Sequence, residues 1–216
     1  MTLKSLVIFD LDGTIVDSED FIVWSFVEAG RRVGVRVDPD LVRGFIGYPL
    51  DDVVSRVLGS GLSPGVVEEF LSVRRSLIRE HWRSMVRLFP DVIPALSELR
   101  SMGFKLAIAS SSVLGRIVEF LEYLGVIDYF QYISGVEPGV RGKPYPDVIS
   151  RVLEGLRVDP AEAVYVGDRL VDCVASRSAG VDFILVDRSG REKPLDCTPI
   201  ETVRSLIEIP RVLKRY

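Results

Sequence analysis

The sequence predicts an α/β protein, a doubly wound five-stranded parallel sheet carrying an inserted all-helical cap. Three observations predict it. Five short apolar runs alternate with segments of helical period, several of those segments stop on glycine before the next run, and one connection is far too long for a simple crossover.

The first run, Leu6 to Phe9, closes on Asp10. The others are Leu106 to Ala109, Tyr132 to Ser134, Ala163 to Val166 and Phe183 to Val186. Helical period covers Pro94 to Met102, Val113 to Leu124, Asp147 to Leu156 and Val171 to Ala179, with Gly103, Gly125 and Gly180 at three of the stops. Roughly 90 residues separate the first two runs, where a crossover needs only a few tens. The segment Asp17 to Leu88 reads as helices throughout, with stops at Gly34, Gly47 to Pro49, Gly59 to Gly61 and Ser63 to Gly65. The expected division is a cap of residues 17–88 on a core of residues 1–16 plus 89–216. The tail after Arg188, with Pro194, Pro199 and Pro210, is expected to be irregular and loosely packed, and neither repeats nor low-complexity tracts interrupt the chain.

Composition sets the broad class. With 216 residues, 47% hydrophobic and 27% charged, the chain has an ordinary globular balance and enough material for a sizeable core. A net charge of -4 creates no general field that gathers nucleic acid, so no nucleic-acid partner is expected. The apolar stretch that Asp10 ends is too short for a signal peptide or a membrane span, which argues for a cytoplasmic address and no membrane partner. Cys173 and Cys197 have neither metal-ligand spacing nor the count of a disulfide framework, and read as small apolar residues. The absence of Asn, with Gln131 the sole Gln, hints at a hot habitat, although 22 Arg against 5 Lys departs from the Lys-rich habit of hyperthermophile proteins.

The chemistry begins at Asp10-Leu11-Asp12-Gly13-Thr14. Two residues apart in extended chain, the Asp10 and Asp12 side chains leave on one side. Paired carboxylates are costly unless a cation sits between them or one takes a proton, so the pair suits metal binding and acid–base work. A hairpin turn at Asp12-Gly13 is disfavoured because Asp17-Ser18-Glu19, followed by Phe21, Trp24 and Val27, reads as a helix start. A calcium loop is disfavoured because Ile15 and Phe21 stand where it needs Gly and Glu. The single histidine, His81, lies in the helical insert and reads as a structural residue, which leaves nucleophilic catalysis to a carboxylate.

Other strand ends supply matching parts, since ligands of open α/β sheets bind beyond the carboxyl ends of the strands. Ser110 and Ser111 follow the second run, as anion-binding groups or as plain helix caps. Lys143, in Gly142-Lys143-Pro144-Tyr145-Pro146, is aimed inward by its prolines or is a solvated surface lysine. Asp168 and Asp172 follow the fourth run one helical turn apart, with helix capping the alternative role for Asp168.

In order and spacing these elements together resemble the four motifs of the haloacid dehalogenase-like hydrolase superfamily across nearly the whole chain. The resemblance implies strand order 5-4-1-2-3, and a phosphoglycolate phosphatase or beta-phosphoglucomutase-like branch. It implies that Asp10 attacks phosphorus to form an aspartyl-phosphate, and that Asp12 is general acid, then general base. By the same resemblance Ser110 and Ser111 would bind the phosphoryl group, and Lys143 would pair with it and with Asp10. It further implies a magnesium ion (Mg2+) on Asp10, the Asp12 carbonyl and Asp168, with Thr14 and Asp172 in support, and a small phosphorylated metabolite as substrate. A phosphate dianion beside ionised Asp10 and Asp168 brings about four negative charges against three from magnesium and Lys143, so phosphate would be repelled without the metal.

Single residues narrow the branch. Asp12 argues against dehalogenases, and the absence of lysine between Lys4 and Lys105 excludes phosphonatases, which use a cap lysine. Leu50 stands near the place where beta-phosphoglucomutases carry a cap arginine, while Gly47-Tyr48-Pro49 is similar to the cap turn of phosphoglycolate phosphatases. Arg43, Tyr48, Arg83 and Arg87 are candidates to meet a substrate carboxylate. The rival classes are a phospho-accepting receiver domain, against which the insert and Asp12 argue, and a catalytically silent binding protein, against which the full set of carboxylates argues.

Overall fold

The computed structural model describes residues 3–59, 61–188, 190 and 197–216; Met1, Thr2, Ser60 and Pro194 lie outside the described residues. The chain enters through β1 (Leu6–Phe9) and turns into β2 (Val16–Asp17). Four helices follow: α1 (Glu19–Val33), α2 (Pro39–Phe45), α3 (Leu50–Leu58) and α4 (Pro64–Met85). Next come β3 (Arg87–Leu88), α5 (Val92–Ser101), β4 (Lys105–Val113), α6 (Leu114–Tyr123), β5 (Tyr132–Val136) and α7 (Asp147–Leu156). The chain closes with β6 (Ala163–Gly167), α8 (Leu170–Ser178), β7 (Asp182–Val186), β8 (Glu201–Val203) and α9 (Ile209–Leu213).

β1 is apolar at every position because both faces of its sheet are covered. Val7 and Phe9 join one buried cluster with Leu96 of α5, Ile117 of α6 and Ile209 of α9, whereas Leu6 and Ile8 join a second with Val148 of α7 and Ala175 of α8. Parallel registers pair Phe9 with Ile108 on one side and Val166 on the other, so the carboxyl ends of β1, β4 and β6 come level.

Among the described residues the sheet runs β5-β4-β1-β6-β7-β8, which keeps the expected order of the five strands and adds a sixth at one edge. The sixth, β8, has three residues, two of them Glu201 and Thr202, and so lacks an apolar run. The tail also departs from expectation, since Ile209, Pro210, Val212 and Leu213 of α9 are buried. Asp91 holds it there, accepting from Arg188 Nη1 (2.8 Å), Ser205 Oγ (2.6 Å) and the Leu206 amide (2.7 Å). The cysteines depart from expectation as well. Cys173 and Cys197, 24 residues apart, form a disulfide between α8 and the segment before β8.

The insert is not helical throughout, because β2 and β3 pair antiparallel at its two ends, Val16 with Leu88. Its helices bury a third cluster that includes Phe26, Val42, Val54, Phe70 and Leu77. Helix α4 reaches further, placing Ile78 and Trp82 in the cluster under the sheet, where Trp82 stacks on Phe120 at 4.5 Å. None of the described helices is long and apolar enough to cross a membrane.

Two outcomes test how the tail is fixed. Cys173→Ser should cost about 3 kcal/mol through lost loop closure, a fall in Tm of roughly 6–12 °C for a chain of this size; an unchanged Tm would contradict the linkage. Burial pushes the Asp91 carboxyl up, but Arg188, Ser205 and Leu206 more than offset this and hold it below the ordinary range. A depressed carboxyl stabilises above its unfolded pKa and stops doing so as pH falls through its folded one, so the Tm advantage over Asp91→Asn should be full at neutrality and shrink below about pH 4. A pH-independent difference would contradict it.

Candidate active site

Asp10 leaves the end of β1 with its amide donating to Val166 O at 2.9 Å, and its side chain is buried. After buried Leu11 and the half-buried Asp12, Gly13 takes φ +84°, a conformation that side chains disfavour. A methyl group on Gly13 would overlap the Asp168 carboxylate, so the bare glycine is what lets the β1 turn and the β6 turn close on each other.

Lys143 lies between them, fully buried rather than solvated. Its Nζ is 2.5 Å from Asp10 Oδ1 and 2.5 Å from Asp172 Oδ1. It also donates to Tyr165 Oη at 3.3 Å, and Tyr165 in turn donates to Ala109 O at 2.7 Å. The backbone amide of Lys143 donates to Ser111 Oγ at 2.9 Å, which fixes the loop that delivers the ammonium. Asp172 Oδ2 accepts from the amides of Asp168 and Arg169 at 3.1 and 2.9 Å. Both its oxygens are thereby engaged. Asp168 accepts from Thr14 Oγ1 (3.2 Å) and Arg169 Nε (3.0 Å).

Oxygens of Asp10, Asp168 and Asp172 lie within 4.8 Å of one another, facing one ammonium. Burial, then the neighbouring carboxylates, push Asp10 well above the usual carboxylate range against the pull of Lys143, and Asp168 up to about 7. Burial alone would lower the Lys143 pKa, but Asp10 and Asp172 raise it well above the usual value and keep it an ammonium. The site is therefore short of positive charge. A hard divalent cation with oxygen ligands fits that shortage, and Asp10 and Asp168 are the carboxylates placed to hold it, Asp172 being occupied by Lys143 and two amides.

Asp12 faces a cleft between the sheet ends and the insert. Ser18 Oγ donates to its Oδ1 at 2.6 Å and Ser112 Oγ to its Oδ2 at 3.1 Å. Ser110, buried in the same cleft, accepts from the Ser112 amide at 3.1 Å, and among the described residues its hydroxyl donates to no acceptor. The structure thus brings together Asp10, Asp12, Thr14, Ser110, Ser111, Lys143, Asp168 and Asp172. Sequence reasoning missed Ser18, Ser112, Tyr165 and Arg169. Of the expected insert residues only Tyr48 lines the cleft. Arg43 turns to Glu19, Asp20 and Asp40, Arg83 to Glu119, and Arg87 is exposed on β3. His81 packs edge-on against Trp24 at 5.0 Å, outside the cleft.

Residues 7–186 match the family model of haloacid dehalogenase-like hydrolases. The chain belongs to that family. A phosphoglycolate phosphatase of Vibrio vulnificus is 30% identical over 81% of this chain and 80% of its own length. The tyrosine-protein kinase PtkA of Mycobacterium tuberculosis is 34% identical over 84% of this chain, which spans 61% of that relative's length. In fold, a crystal structure of a predicted phosphoglycolate phosphatase from Haemophilus somnus superposes with a TM-score of 0.88 at 23% identity, over 98% of this chain and 99% of that one.

If the close approach at Gly13 sets the carboxylate geometry, Gly13→Ala should lower kcat by on the order of 10²-fold, the scale of an ångström-sized misplacement. The variant should keep a folded circular-dichroism spectrum. Activity within a few-fold of wild type would show that the β1 and β6 turns need not touch.

Proposed function

We propose that this chain is a magnesium-dependent phosphatase that hydrolyses a small phosphomonoester through an aspartyl-phosphate on Asp10. The observation that carries the proposal is the buried Lys143 ammonium 2.5 Å from Asp10, with Asp12 fixed next to it by two serine hydroxyls. One carboxylate is paired and held as a nucleophile while its neighbour faces the cleft, free to exchange a proton.

In the first half, an Asp10 oxygen attacks phosphorus, the ester P–O bond breaks, and the leaving alkoxide takes a proton from Asp12. In the second half, Asp12 removes a proton from water, the water oxygen attacks phosphorus, and the Asp10–phosphorus bond breaks to regenerate the carboxylate. Ser110, its oxygen already accepting from Ser112, is free to donate its proton to a phosphoryl oxygen. Lys143 screens Asp10 and the phosphoryl group, and Tyr165, Ser111 and Asp172 position it. Magnesium held by the Asp10 and Asp168 carboxylates and the Asp12 carbonyl would supply the positive charge that admits a phosphate dianion.

The four-helix insert serves in this proposal as a cap, residues 17–88 over a core of 1–16 plus 89–216. Mutase activity is the weaker alternative, because Leu50 stands in the cleft near the place where beta-phosphoglucomutases carry a cap arginine. A cytoplasmic site of action goes with small phosphorylated metabolites, and a disulfide in that compartment fits a thermophilic cell, in keeping with the scarcity of amides.

Phosphate release from a panel of small esters, with and without magnesium, tests the proposal. Asp10→Asn should lose on the order of 10³-fold or more, and turnover that survives it contradicts the mechanism. In the first turnover, Asp12→Ala should slow release of the alcohol from alkyl phosphates by roughly 10²-fold or more, while the first-turnover burst of p-nitrophenol, which leaves without a proton, is slowed far less. Equal losses on both esters would remove Asp12 from the acid role.

A further inference from the structure

Arg74 of α4 is 5% exposed, deep among the apolar residues of the insert, and lines the cleft that Asp10 and Asp12 face. Its Nε donates to Ser25 Oγ at 3.1 Å and its guanidinium lies 3.9 Å over the Phe26 ring. Among the described residues its two terminal nitrogens have no hydrogen-bond partner and no carboxylate pairs with it. Arg116, from the first turn of α6 in the core, lines the same cleft and likewise has no ion-pair partner among the described residues. The nearby acids are Asp12, whose charge reaches both guanidiniums while its oxygens are held by Ser18 and Ser112, and Glu119, which reaches Arg116 and pairs with Arg83 at 3.0 Å.

Buried Arg74 and half-buried Arg116 share the one charge of Asp12, which leaves this side of the cleft short of negative charge. Burial and then Arg116 pull Arg74 down to about 9, with Asp12 acting the other way, so an anion bound in the cleft that both line relieves their repulsion. The rest of the wall is apolar, with Phe21, Ile22, Phe26, Phe45, Ile78 and Phe120. Outside the serines, Asp10, Asp12 and Tyr48 it offers no amide or acid to satisfy the hydroxyls of a sugar, and a site with so few such partners does not favour a polyhydroxylated substrate.

We infer that Arg74 and Arg116 form an anion subsite for the leaving-group portion of the substrate, selecting phosphomonoesters that carry a carboxylate at the far end of an apolar body. Arg suits this role because its planar fork matches a carboxylate. The inference rests on the phosphatase reading for its kinetic part only.

The test compares phenyl phosphate, 3- and 4-carboxyphenyl phosphate and glucose 6-phosphate, all with magnesium. In the wild type, kcat/KM for at least one carboxyphenyl ester should exceed that for phenyl phosphate by about tenfold or more, with glucose 6-phosphate below both. Arg74→Met and Arg116→Met should each bring the carboxyphenyl-to-phenyl ratio close to one. The same preference should appear as affinity when Asp10→Asn protein is titrated calorimetrically with these esters, which needs no turnover. Equal rates and equal affinities for carboxylated and plain esters in protein bearing both arginines would overturn the inference, as would a preference for glucose 6-phosphate. If no ester is hydrolysed yet the carboxyphenyl esters bind tighter, the subsite stands and the phosphatase reading falls.

Discussion

One buried ammonium set against two buried carboxylates and a half-buried third is the constraint on which the rest of the structure depends. Lys143 touches Asp10 and Asp172, and Asp168 completes the group within 4.8 Å. Such an arrangement is tolerable only if the backbone delivers every group with little freedom, because a misplaced buried charge costs several kcal/mol. The sheet provides that delivery. Parallel registry brings the ends of β1 and β6 level, Gly13 leaves room for the Asp168 carboxylate, and the space beside Gly167 is filled by the Asp172 carboxylate. Tyr165, inside β6, steadies the ammonium from within the sheet.

The insert meets this charged floor in two unlike ways. At the back, Trp82 and Ile78 root α4 in the apolar cluster beneath the sheet, a contact that water does not weaken. At the front, Arg169 joins the Asp168 carboxylate to Glu19 of α1 at 2.5 Å, and Arg43 spans Glu19 and Asp20. Half-exposed ion pairs of this kind contribute little to stability, so the front edge is the more easily parted side. The cleft between these two seams is walled by aromatic residues from the insert and by hydroxyls from the core.

Much of the core was legible because its signals are local. Leu6 to Phe9 and Asp147 to Leu156 have the bounds that periodicity alone assigns, and Asp10, Lys143 and Asp168 follow strand ends or proline-fixed turns. What escaped depends on neighbours far along the chain. β8 is too short and polar to register, and Cys173 meets Cys197 only after β7 has crossed between them. Ser18 reads as a helix cap, yet its hydroxyl turns to Asp12 rather than to the helix. Ser111 stands beside Ser110 but serves the Lys143 loop. A usable signal for Arg74 did exist: with Phe70, Leu77 and Ile78 it occupies one helical stripe, and a cation on an otherwise apolar stripe points to burial.

The most direct test of the central claim is to quench the enzyme in acid during turnover, reduce acyl phosphates with borohydride and map the product by peptide mass spectrometry. The proposal that the charge gathered around Asp10 makes it the nucleophile predicts reduction of Asp10 to homoserine, dependent on substrate and lost in Lys143→Met. Homoserine at Asp12 or Asp168 instead, or none at any carboxylate during rapid turnover, would contradict it.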